Sequence, residues 1–531
     1  MSTAVSAPGK VLLAGGYLVL DRTYTGLVFG LSARIHVLVH DIASSSGVEI
    51  SEIIVHSPQF QAASWNYGYN LVKERGGVHV TQLQGLPSPL SLSSRVEEES
   101  RSELLIARQF GLFVQRSCII ECSSSEGYSA EPSSRNPFVQ TALEYALTYI
   151  STVLPASQKI EPTKLTILAD DSYYSNPPQS TVTPDSRFSD FNVTLKQAHK
   201  TGLGSSAALV TAFTGALLSH YLPRSSFDLA STEGKNILHN LAQAAHCAAQ
   251  GKVGSGFDVA AAVYGTCIYR RFSPSILSSL GEPGSKDFAS RVKSVVDNTS
   301  TMKHENWDTE ISSNSVSVSK GYALVMCDVD CGSETVGMVK KVLEWRKNDP
   351  DGSKKLWDAL QISNESLASA LSSENKEDVT SAFSAVREKI REMGTASGVP
   401  IEPAEQTELI DAVTAAVPGV LGGVVPGAGG YDAIVLLAQD DEATVGNINN
   451  FLKKWMAEHQ NGVVKLLEAK GELEGARLED VKVYAFIVFE NVPRMFQIKH
   501  VDGNFLAYPG KIVLSFTPPP NFVALQDIVA V

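Results

Sequence analysis

The sequence lacks several features, and each absence argues against a class of protein. It has six cysteines in 531 residues, too few for a disulfide framework in so long a chain. No uninterrupted apolar run approaches the ~20 residues that span a bilayer, and the first residues lack the pattern of a signal peptide. Nor is there an excess of positive charge, since 44 Lys+Arg stand against 57 Asp+Glu, a formal net charge of −13. These absences argue against secreted, membrane-spanning and nucleic-acid-binding proteins and predict a cytoplasmic location.

What the sequence has is the composition of a large globular protein. Hydrophobic residues make up 43% and charged residues 19% of the chain, and the length favours two to four domains. An apolar, β-rich stretch opens the chain, whereas polar stretches interrupt the later pattern. The predicted organisation is an N-terminal domain over 1–285 with polar insertions near 87–134 and 170–190, a linker or insertion over 286–317, a C-terminal α+β domain over 318–482, and a tail without assigned structure over 483–531.

The most informative segment is a glycine-rich loop directly before a helical stretch over 209–218. It reads Gly202-Leu203-Gly204-Ser205-Ser206-Ala207. Such a loop leaves backbone N–H groups free at a helix N-terminus, where the helix dipole also favours an anion, and its serines add hydroxyls for phosphate or Mg²⁺. Two other interpretations stay open, namely a tight strand-to-helix turn with a serine cap and the Gly-x-Gly-x-x-Ala fingerprint of dinucleotide-binding proteins.

Three further elements are rich in glycine. Pro8–Lys10 places a lysine at the start of an apolar strand, and Gly427–Gly430 precedes another strand. Glycines between 251 and 256 come before Asp258, which begins a short helix. Taken singly, these elements fit a solvated lysine, a plain turn and an N-cap aspartate worth about 1 kcal/mol. The chain contains no Walker A string and neither His-Arg-Asp nor Asp-Phe-Gly, which argues against P-loop NTPases and protein kinases.

Together, the order and the residues of the four elements resemble the motifs of the GHMP family of small-molecule kinases. The resemblance runs from Ser6 to about Val483, most of the chain, and the segment 202–207 is its most specific motif. It implies a two-domain α+β fold: an N-terminal α/β domain like ribosomal protein S5 domain 2 and a ferredoxin-like C-terminal domain. The resemblance also places the active site between these two domains.

The same resemblance implies roles for individual residues. Lys10 and Asp258 are the expected catalytic pair, with ATP and Mg²⁺ as the expected cofactors. Ser206 is the expected protein ligand of Mg²⁺. Mevalonate kinases of the family carry a further metal-site glutamate in the region that corresponds to 245–250, but this sequence has no glutamate there, so a second ligand is not assigned. The expected ATP phosphate loop consists of Gly202, Leu203, Gly204, Ser205, Ser206 and Ala207, and the expected closing loop consists of Gly427, Ala428 and Gly429.

Within the family, three segments are most similar to eukaryotic, especially fungal, members that phosphorylate phosphomevalonate: 200–206, 250–260 and 269–272. The similarity implies that a phosphoryl group passes from ATP to the phosphate of this substrate, giving diphosphomevalonate in the mevalonate pathway. Since donor and acceptor are both negatively charged, nearby cations have to offset their repulsion. Besides Lys10, the candidates for binding the substrate phosphate are Lys200, Arg270 and Arg271.

Three rival functions remain on sequence grounds. One is a kinase of the same family with an alcohol acceptor such as mevalonate. Another is a non-catalytic regulator on this fold that binds nucleotide and metabolite, although retention of both Lys10 and Asp258 argues against it. The third, a dinucleotide oxidoreductase, needs an acidic residue after the glycine-loop helix, for which Asp228 is the only nearby candidate. A helix that opens at Asn136 is a candidate nucleotide-side element, and the oligomeric state is left open.

Overall fold

The computed structural model of the chain divides it into two compact units, Met1–Leu478 and Glu479–Val531. In the second unit, the described residues include a short 3₁₀ helix, Val481–Tyr484. Most of the predicted tail and the insertion predicted over 87–134 lie outside the described residues. The structure describes residues 2–42, 52–83, 135–155, 157–175, 187–302, 304, 306–313, 315–329, 335–459 and 463–484.

The first unit is built on one large sheet. Its described strands are β1 (Ser2–Ala14), β2 (Gly26–Asp41), β3 (Glu52–His56), β4 (Ser64–Leu71), β5 (Val78–Gln82), β6 (Thr163–Ala169), β7 (Cys267–Arg270), β8 (Glu310–Ser313), β9 (Tyr322–Val329), β10 (Val420–Val424), β11 (Ala433–Gln439), β12 (Val464–Glu472) and β13 (Arg477–Leu478). The main order is β10-β11-β9-β12-β2-β6-β3-β4-β5, and β1 and β7 also pair with β2. Of these pairs, β3 and β6 run parallel and the others antiparallel.

The described helices pack around this sheet. They are α1 (Pro137–Val153), α2 (Ser205–Tyr221), α3 (Thr232–Gln250), α4 (Phe257–Tyr264), α5 (Ser275–Ser278), α6 (Phe288–Val296), α7 (Thr335–Asn348), α8 (Pro350–Ala370), α9 (Lys376–Ser397), α10 (Ala404–Ala416) and α11 (Glu442–His459), with 3₁₀ helices at Leu18–Leu20 and Asp171–Tyr173. The sequence explains why α1 begins where it does. The Asn136 side chain caps the helix by accepting a hydrogen bond from the Val139 N–H at 3.3 Å, and Pro137 occupies the first helical position. In the described ranges, no helix is both long and apolar enough to cross a membrane.

Helix α2 is the buried centre of the first half of the unit. Residues from Ala207 to Leu218 are buried almost all round, as expected for a helix that is apolar on every face. The helix contacts β1 and β2 on the sheet and the neighbouring helices α1, α3 and α4. Val210, Phe213 and Leu217 have no exposed surface. Since α2 is enclosed on all sides, the glycine loop in front of it is held in a fixed place.

A second group of elements extends from β9 to β12. Strands β10, β11, β9 and β12 form an antiparallel run, against which α9, α10 and α11 pack. This run joins the first half where Gly471 and Glu472 of β12 pair with Leu31 and Gly30 of β2. The architecture is therefore α+β, as the sequence predicts. The exact boundaries of the two predicted domains stay a prediction.

Two polar segments differ from what their composition suggests. The segment 286–317 contains α6 and β8, and Ile311 of β8 pairs with Tyr269 of β7. In the segment 170–190, Asp170 is buried and accepts hydrogen bonds from the Arg187 guanidinium. The buried Asp170 is thus paired with an exposed arginine, so a polar composition does not make every residue of such a segment exposed.

Candidate active site

Lys10 of β1 lies against the glycine loop. Its backbone N–H donates to the carbonyl of Leu203 at 2.9 Å, and its side-chain Nζ donates to the carbonyl of Gly202 at 3.1 Å. The pairing of β1 with β2 shifts register between Pro8 and Lys10, and such an irregularity re-aims a strand's side chains. Two motifs that are 192 positions apart in the chain are thus bonded directly.

Gly204 is required by both conformation and space. Its φ of 80° lies in the left-handed region, where it forms the N-cap of α2. A Cβ at this position would lie 2.9 Å from Cε of Lys10. Because Gly204 has no side chain to cap the helix, the first N–H groups of α2 are left to bind an anion.

Asp258 lies in the first turn of α4, next to Lys10. The Asp258 carboxylate accepts a hydrogen bond from the Val259 N–H at 3.0 Å. Burial lowers the pKa of Lys10, and the negative charge of Asp258 raises it in opposition. The Phe257 ring lies beneath the lysine, with its centroid 5.7 Å from Nζ. The charge of Asp258 thus acts on Lys10, although Asp258 does not itself line the cleft that Lys10 and Phe257 line.

The loop 427–430 reaches the same place from the far end of the unit. The Gly427 N–H donates to the carbonyl of Leu12 at 2.9 Å, and the Gly430 N–H donates to the carbonyl of Ile401 at 2.8 Å. Gly429 has a φ of 75°, and a Cβ there would overlap the Ile401 carbonyl. The loop consequently fits between β1 and Ile401 through close backbone contacts that need glycine.

These elements enclose a cleft of about 520 Å³. It combines a partly buried cation, exposed backbone groups of two glycine loops and one aromatic wall, which suits a ligand with several negative charges. The predicted site residues that line it are Lys10, Lys200, Gly202, Leu203, Gly427, Ala428 and Gly429, together with Tyr17 and Phe257.

A smaller hollow of about 70 Å³ lies on the other side of the glycine loop. Ser205 and Ser206 line it, together with Asn136 and Phe138 at the start of α1. Lys200 lines both the cleft and this hollow, and burial lowers the pKa of its ammonium. The loop thus separates two spaces, and one lysine contacts both.

Arg270 and Arg271, the other candidates for the substrate phosphate, do not line the cleft. The Arg270 Nε donates to the Glu310 carboxylate at 2.9 Å. The Arg271 guanidinium donates to the carbonyls of Leu20 and Gly254, each at 2.7 Å. Most of their donors thus bond neighbouring segments of the chain, although the buried Arg271 Nε has no partner among the described residues.

Sequence reasoning missed His246 on α3. Its Nε2 lies 3.2 Å from the Ser206 hydroxyl and 3.3 Å from the Gln250 side-chain nitrogen, and its ring packs against Phe138. In the sequence, this segment stands out only for the glutamate it lacks, whereas the i,i+4 spacing of His246 and Gln250 was the available signal. Within the described ranges, no group of three or more His, Cys, Asp and Glu side chains is placed to hold a metal ion.

Comparison with known proteins agrees with this geometry. The family described as GHMP kinases N terminal domain matches residues 186–266, which include the glycine loop and Asp258. The phosphomevalonate kinase of Gibberella zeae is 52% identical over 484 residues, covering 91% of this chain and 98% of that protein. The phosphomevalonate kinase of Aspergillus fumigatus is 42% identical over 527 residues, with the same coverage of 91% and 98%.

Among solved structures, a similar fold occurs in the Streptococcus pneumoniae phosphomevalonate kinase in complex with phosphomevalonate and AMPPNP. The TM-score is 0.52 at 15% sequence identity, and the match covers 88% of this chain and 99% of that one. At this identity, the likeness concerns the fold.

The glycine loops, the fold and the matched domain together define a GHMP kinase, as the motifs predict. This result excludes the dinucleotide oxidoreductase considered from the sequence. The fungal relatives are more specific, since their identity extends over 91% of the chain. The chain belongs to the phosphomevalonate kinase family.

Proposed function

We propose that the protein transfers the γ-phosphate of ATP to the phosphate of phosphomevalonate, giving diphosphomevalonate and ADP. Its family membership supports this proposal. One structural observation carries it: Lys10 bonds the glycine loop at a cleft that the loop 427–430 also lines, and the charge of Asp258 acts on Lys10. Phosphoryl transfer depends almost entirely on positioning and on stabilising charge, and this cleft offers both.

Lys10 is the cation that we assign to the transferring phosphoryl group. It is bonded to the glycine loop through both its backbone and its side chain, so its ammonium is held beside the N-terminus of α2. Two sources of positive potential, the ammonium and the helix N–H groups, then face the same phosphates. The carboxylate of Asp258 supports the charged form of Lys10 against the effect of burial.

Asp258 has an orienting role in this proposal. A phosphate monoester has a second pKa near ~6, so at neutral pH most of the acceptor is already a dianion and little proton removal remains to be done. The carboxylate is fixed by its hydrogen bond from the Val259 N–H, and it can therefore orient Lys10 and the acceptor relative to each other. An alcohol acceptor such as mevalonate would instead need Asp258 as a general base.

The two spaces beside the glycine loop suggest how the substrates divide. We assign the nucleotide to the side of the hollow at Ser205, Ser206 and the start of α1, where an aromatic ring and the Asn136 cap are found. The acceptor then occupies the cleft that Lys10 shares with the loop 427–430. Lys200 lines both spaces, so it could bind a phosphate of either substrate.

Mg²⁺ fits the described residues through a hydroxyl and not through a carboxylate cluster. Ser206 would hold the ion with one oxygen, and nucleotide phosphates and water would complete its shell, a common arrangement for Mg²⁺. When bound, the ion neutralises charge on the transferring phosphates. His246 lies 3.2 Å from the Ser206 hydroxyl and fixes its orientation.

An ADP-release assay across mevalonate, phosphomevalonate, galactose and homoserine tests the proposal. We expect turnover with phosphomevalonate and a diphosphate product on mass analysis. Turnover with mevalonate alone would contradict the proposal and favour the alcohol-acceptor rival. Nucleotide binding without turnover of any acceptor would favour the regulator. We further propose a cytoplasmic location, which imaging of a full-length fluorescent fusion would test.

A further inference from the structure

Tyr17 adopts a backbone conformation that is rare for a bulky residue. Its φ is 64° and its ψ is −41°. The two residues before it are glycines, and Gly15 also has a positive φ, of 90°. Strained conformations of this kind persist only where the surroundings impose them, and they cluster at functional sites. The turn between β1 and the 3₁₀ helix Leu18–Leu20 thus presents a tyrosine where a glycine would be relaxed.

The side chain of Tyr17 explains why a tyrosine is present there. Its hydroxyl donates to the carbonyl of Ala428 at 2.7 Å, across 411 positions of sequence. The residue is 4% exposed and lines the cleft. Burial raises the pKa of the hydroxyl, so it remains a protonated donor. A glycine would relax the backbone but could not make this bond.

Two backbone contacts lie beside the Tyr17 bond. The Gly427 N–H donates to the carbonyl of Leu12, two residues beyond Lys10 on β1. A Cβ on Gly16 would overlap the carbonyl oxygen of Gly427, so the two backbones touch there as well. One short segment of the N-terminal region therefore contacts residues 427 and 428 in succession.

We propose that Tyr17 is a positioning residue that fixes the loop 427–430 relative to the strand that carries Lys10. This inference rests on the proposed function, because it supposes that the loop and Lys10 act on the same phosphates. Lys10 on β1 is bonded to the glycine loop, and Tyr17, in the turn that follows β1, is bonded to the loop 427–430. Phosphoryl transfer tolerates little displacement of such groups.

The test is Tyr17→Phe, which removes the hydroxyl and keeps the ring. In the ligand-free protein, we expect faster amide hydrogen exchange in peptides covering residues 425–432. In the presence of ATP and phosphomevalonate, we expect kcat to fall about tenfold, because a displaced loop no longer holds the reacting groups in their productive geometry. Melting curves establish that the variant is folded.

Tyr69→Phe is the matched control. Tyr69 lies on β4, away from the cleft, and its hydroxyl donates to the carbonyl of Ile160 at 2.6 Å. The variant therefore loses the same kind of hydrogen bond. It should change neither exchange in 425–432 nor kcat. As a second variant, Gly16→Ala places a methyl group against the Gly427 carbonyl while it retains the Tyr17 hydroxyl. It should accelerate exchange in the same peptides.

Two results would overturn the inference. If exchange in 425–432 is unchanged in Tyr17→Phe, the bond does not fix the loop, and a fall in kcat would then mean that the hydroxyl acts directly on substrate. If exchange rises but kcat and KM stay at the wild-type values, the loop's position does not matter for the reaction. A wild-type protein inactive on phosphomevalonate would contradict the proposed function, and the exchange comparison would still decide whether Tyr17 fixes the loop.

Discussion

The cleft at the glycine loops is smaller than a second cavity in the same unit, about 520 Å³ against about 810 Å³. The second cavity lies between α3, the end of α4, β8 and the chain after β12. Its lining consists mainly of polar and aromatic side chains, among them Glu233, Lys235, Asn236, His239, Asn240, Tyr264, Trp307 and Glu474. By volume alone, this cavity would be the better candidate for a ligand site.

The two cavities differ in what their polar groups already bond. In the second cavity, the Tyr264 hydroxyl donates to Asn236 at 2.7 Å, the Trp307 indole to the Val295 carbonyl at 3.0 Å, and the Asn240 amide to the Val296 carbonyl at 2.9 Å. Two lining atoms, His239 Nε2 and Thr309 Oγ1, have no hydrogen-bond partner in the described part of the chain. Beside the cleft, at the hollow behind the glycine loop, the first turn of α2 offers N–H donors that no side chain caps. A site for phosphates is therefore marked by available donors and a held cation, and not by size.

The strongest test of this contrast compares two partly buried lysines. Lys10 lines the cleft and Lys235 lines the second cavity, and burial lowers the pKa of each. We expect Lys10→Ala to lower kcat at least about 10²-fold, because it removes positive charge from the transferring phosphates. Lys235→Ala should leave kcat within about twofold of wild type. Steady-state kinetics on folded protein would measure both, and equal losses would remove the functional distinction between the cavities.

The next largest effect is expected from Asp258→Asn, and it should depend on pH in two directions. At a pH of about 6 we expect kcat to fall about 10²-fold, and the loss should shrink toward a pH of about 8 as the acceptor becomes a dianion. At alkaline pH the loss should grow again. The Asp258 charge raises the Lys10 pKa, so without it Lys10 loses its proton at lower pH.

The pH profiles of wild type and Asp258→Asn therefore discriminate between acceptors. Lys10 acts as a cation only below its pKa, so the alkaline limb of the variant should lie at lower pH than that of wild type. A penalty that is constant from about pH 6 to about 8, and larger than that of Lys10→Ala, would indicate an alcohol acceptor and a true general base. It would also weaken the argument that the cleft is defined by its cation.

A smaller difference is expected between two glycines in equally tight places. A Cβ on Gly429 would overlap the Ile401 carbonyl beside the cleft, and a Cβ on Gly475 would overlap the Val263 carbonyl beside the second cavity. Each change to alanine should lower the free energy of unfolding by about 1–3 kcal/mol. In folded protein, Gly429→Ala should also lower kcat/KM about tenfold, since it displaces the closing loop. A similar kinetic loss in Gly475→Ala would contradict this assignment.

The sequence predicted those parts of the site that depend on local backbone requirements. Gly204 and Gly429 adopt left-handed backbone conformations where neighbouring atoms leave no room for a Cβ. Only glycine meets both requirements easily, so these positions are recognisable in the sequence. The roles of Arg270 and Arg271 could not be found in the same way, because both are charged residues whose partners come from distant segments.

The site features that the sequence did not predict depend on contacts between distant elements. The approach of His246 to Ser206 depends on how α3 packs against α2, and the Tyr17 bond to Ala428 spans 411 positions. Neither contact leaves a pattern in the local sequence. The α+β fold class was predicted correctly through the motifs. The polar segment 286–317, predicted as a linker or insertion, contains α6 and β8.

The smallest expected effect concerns α4, the helix that the two cavities share. Asp258 lies at its first turn beside the cleft, and Tyr264 ends it beside the second cavity. Tyr264→Phe removes the bond to Asn236, so we expect the free energy of unfolding to fall by about 0.5–1.5 kcal/mol. We expect kcat to stay within about twofold, because Val259 to Val263 are buried and hold Asp258 independently of the far end. Chemical denaturation and kinetics on the same preparation measure both quantities. A large fall in kcat would show instead that α4 transmits changes from the second cavity to the cleft, and the two cavities would then have to be treated as one functional unit.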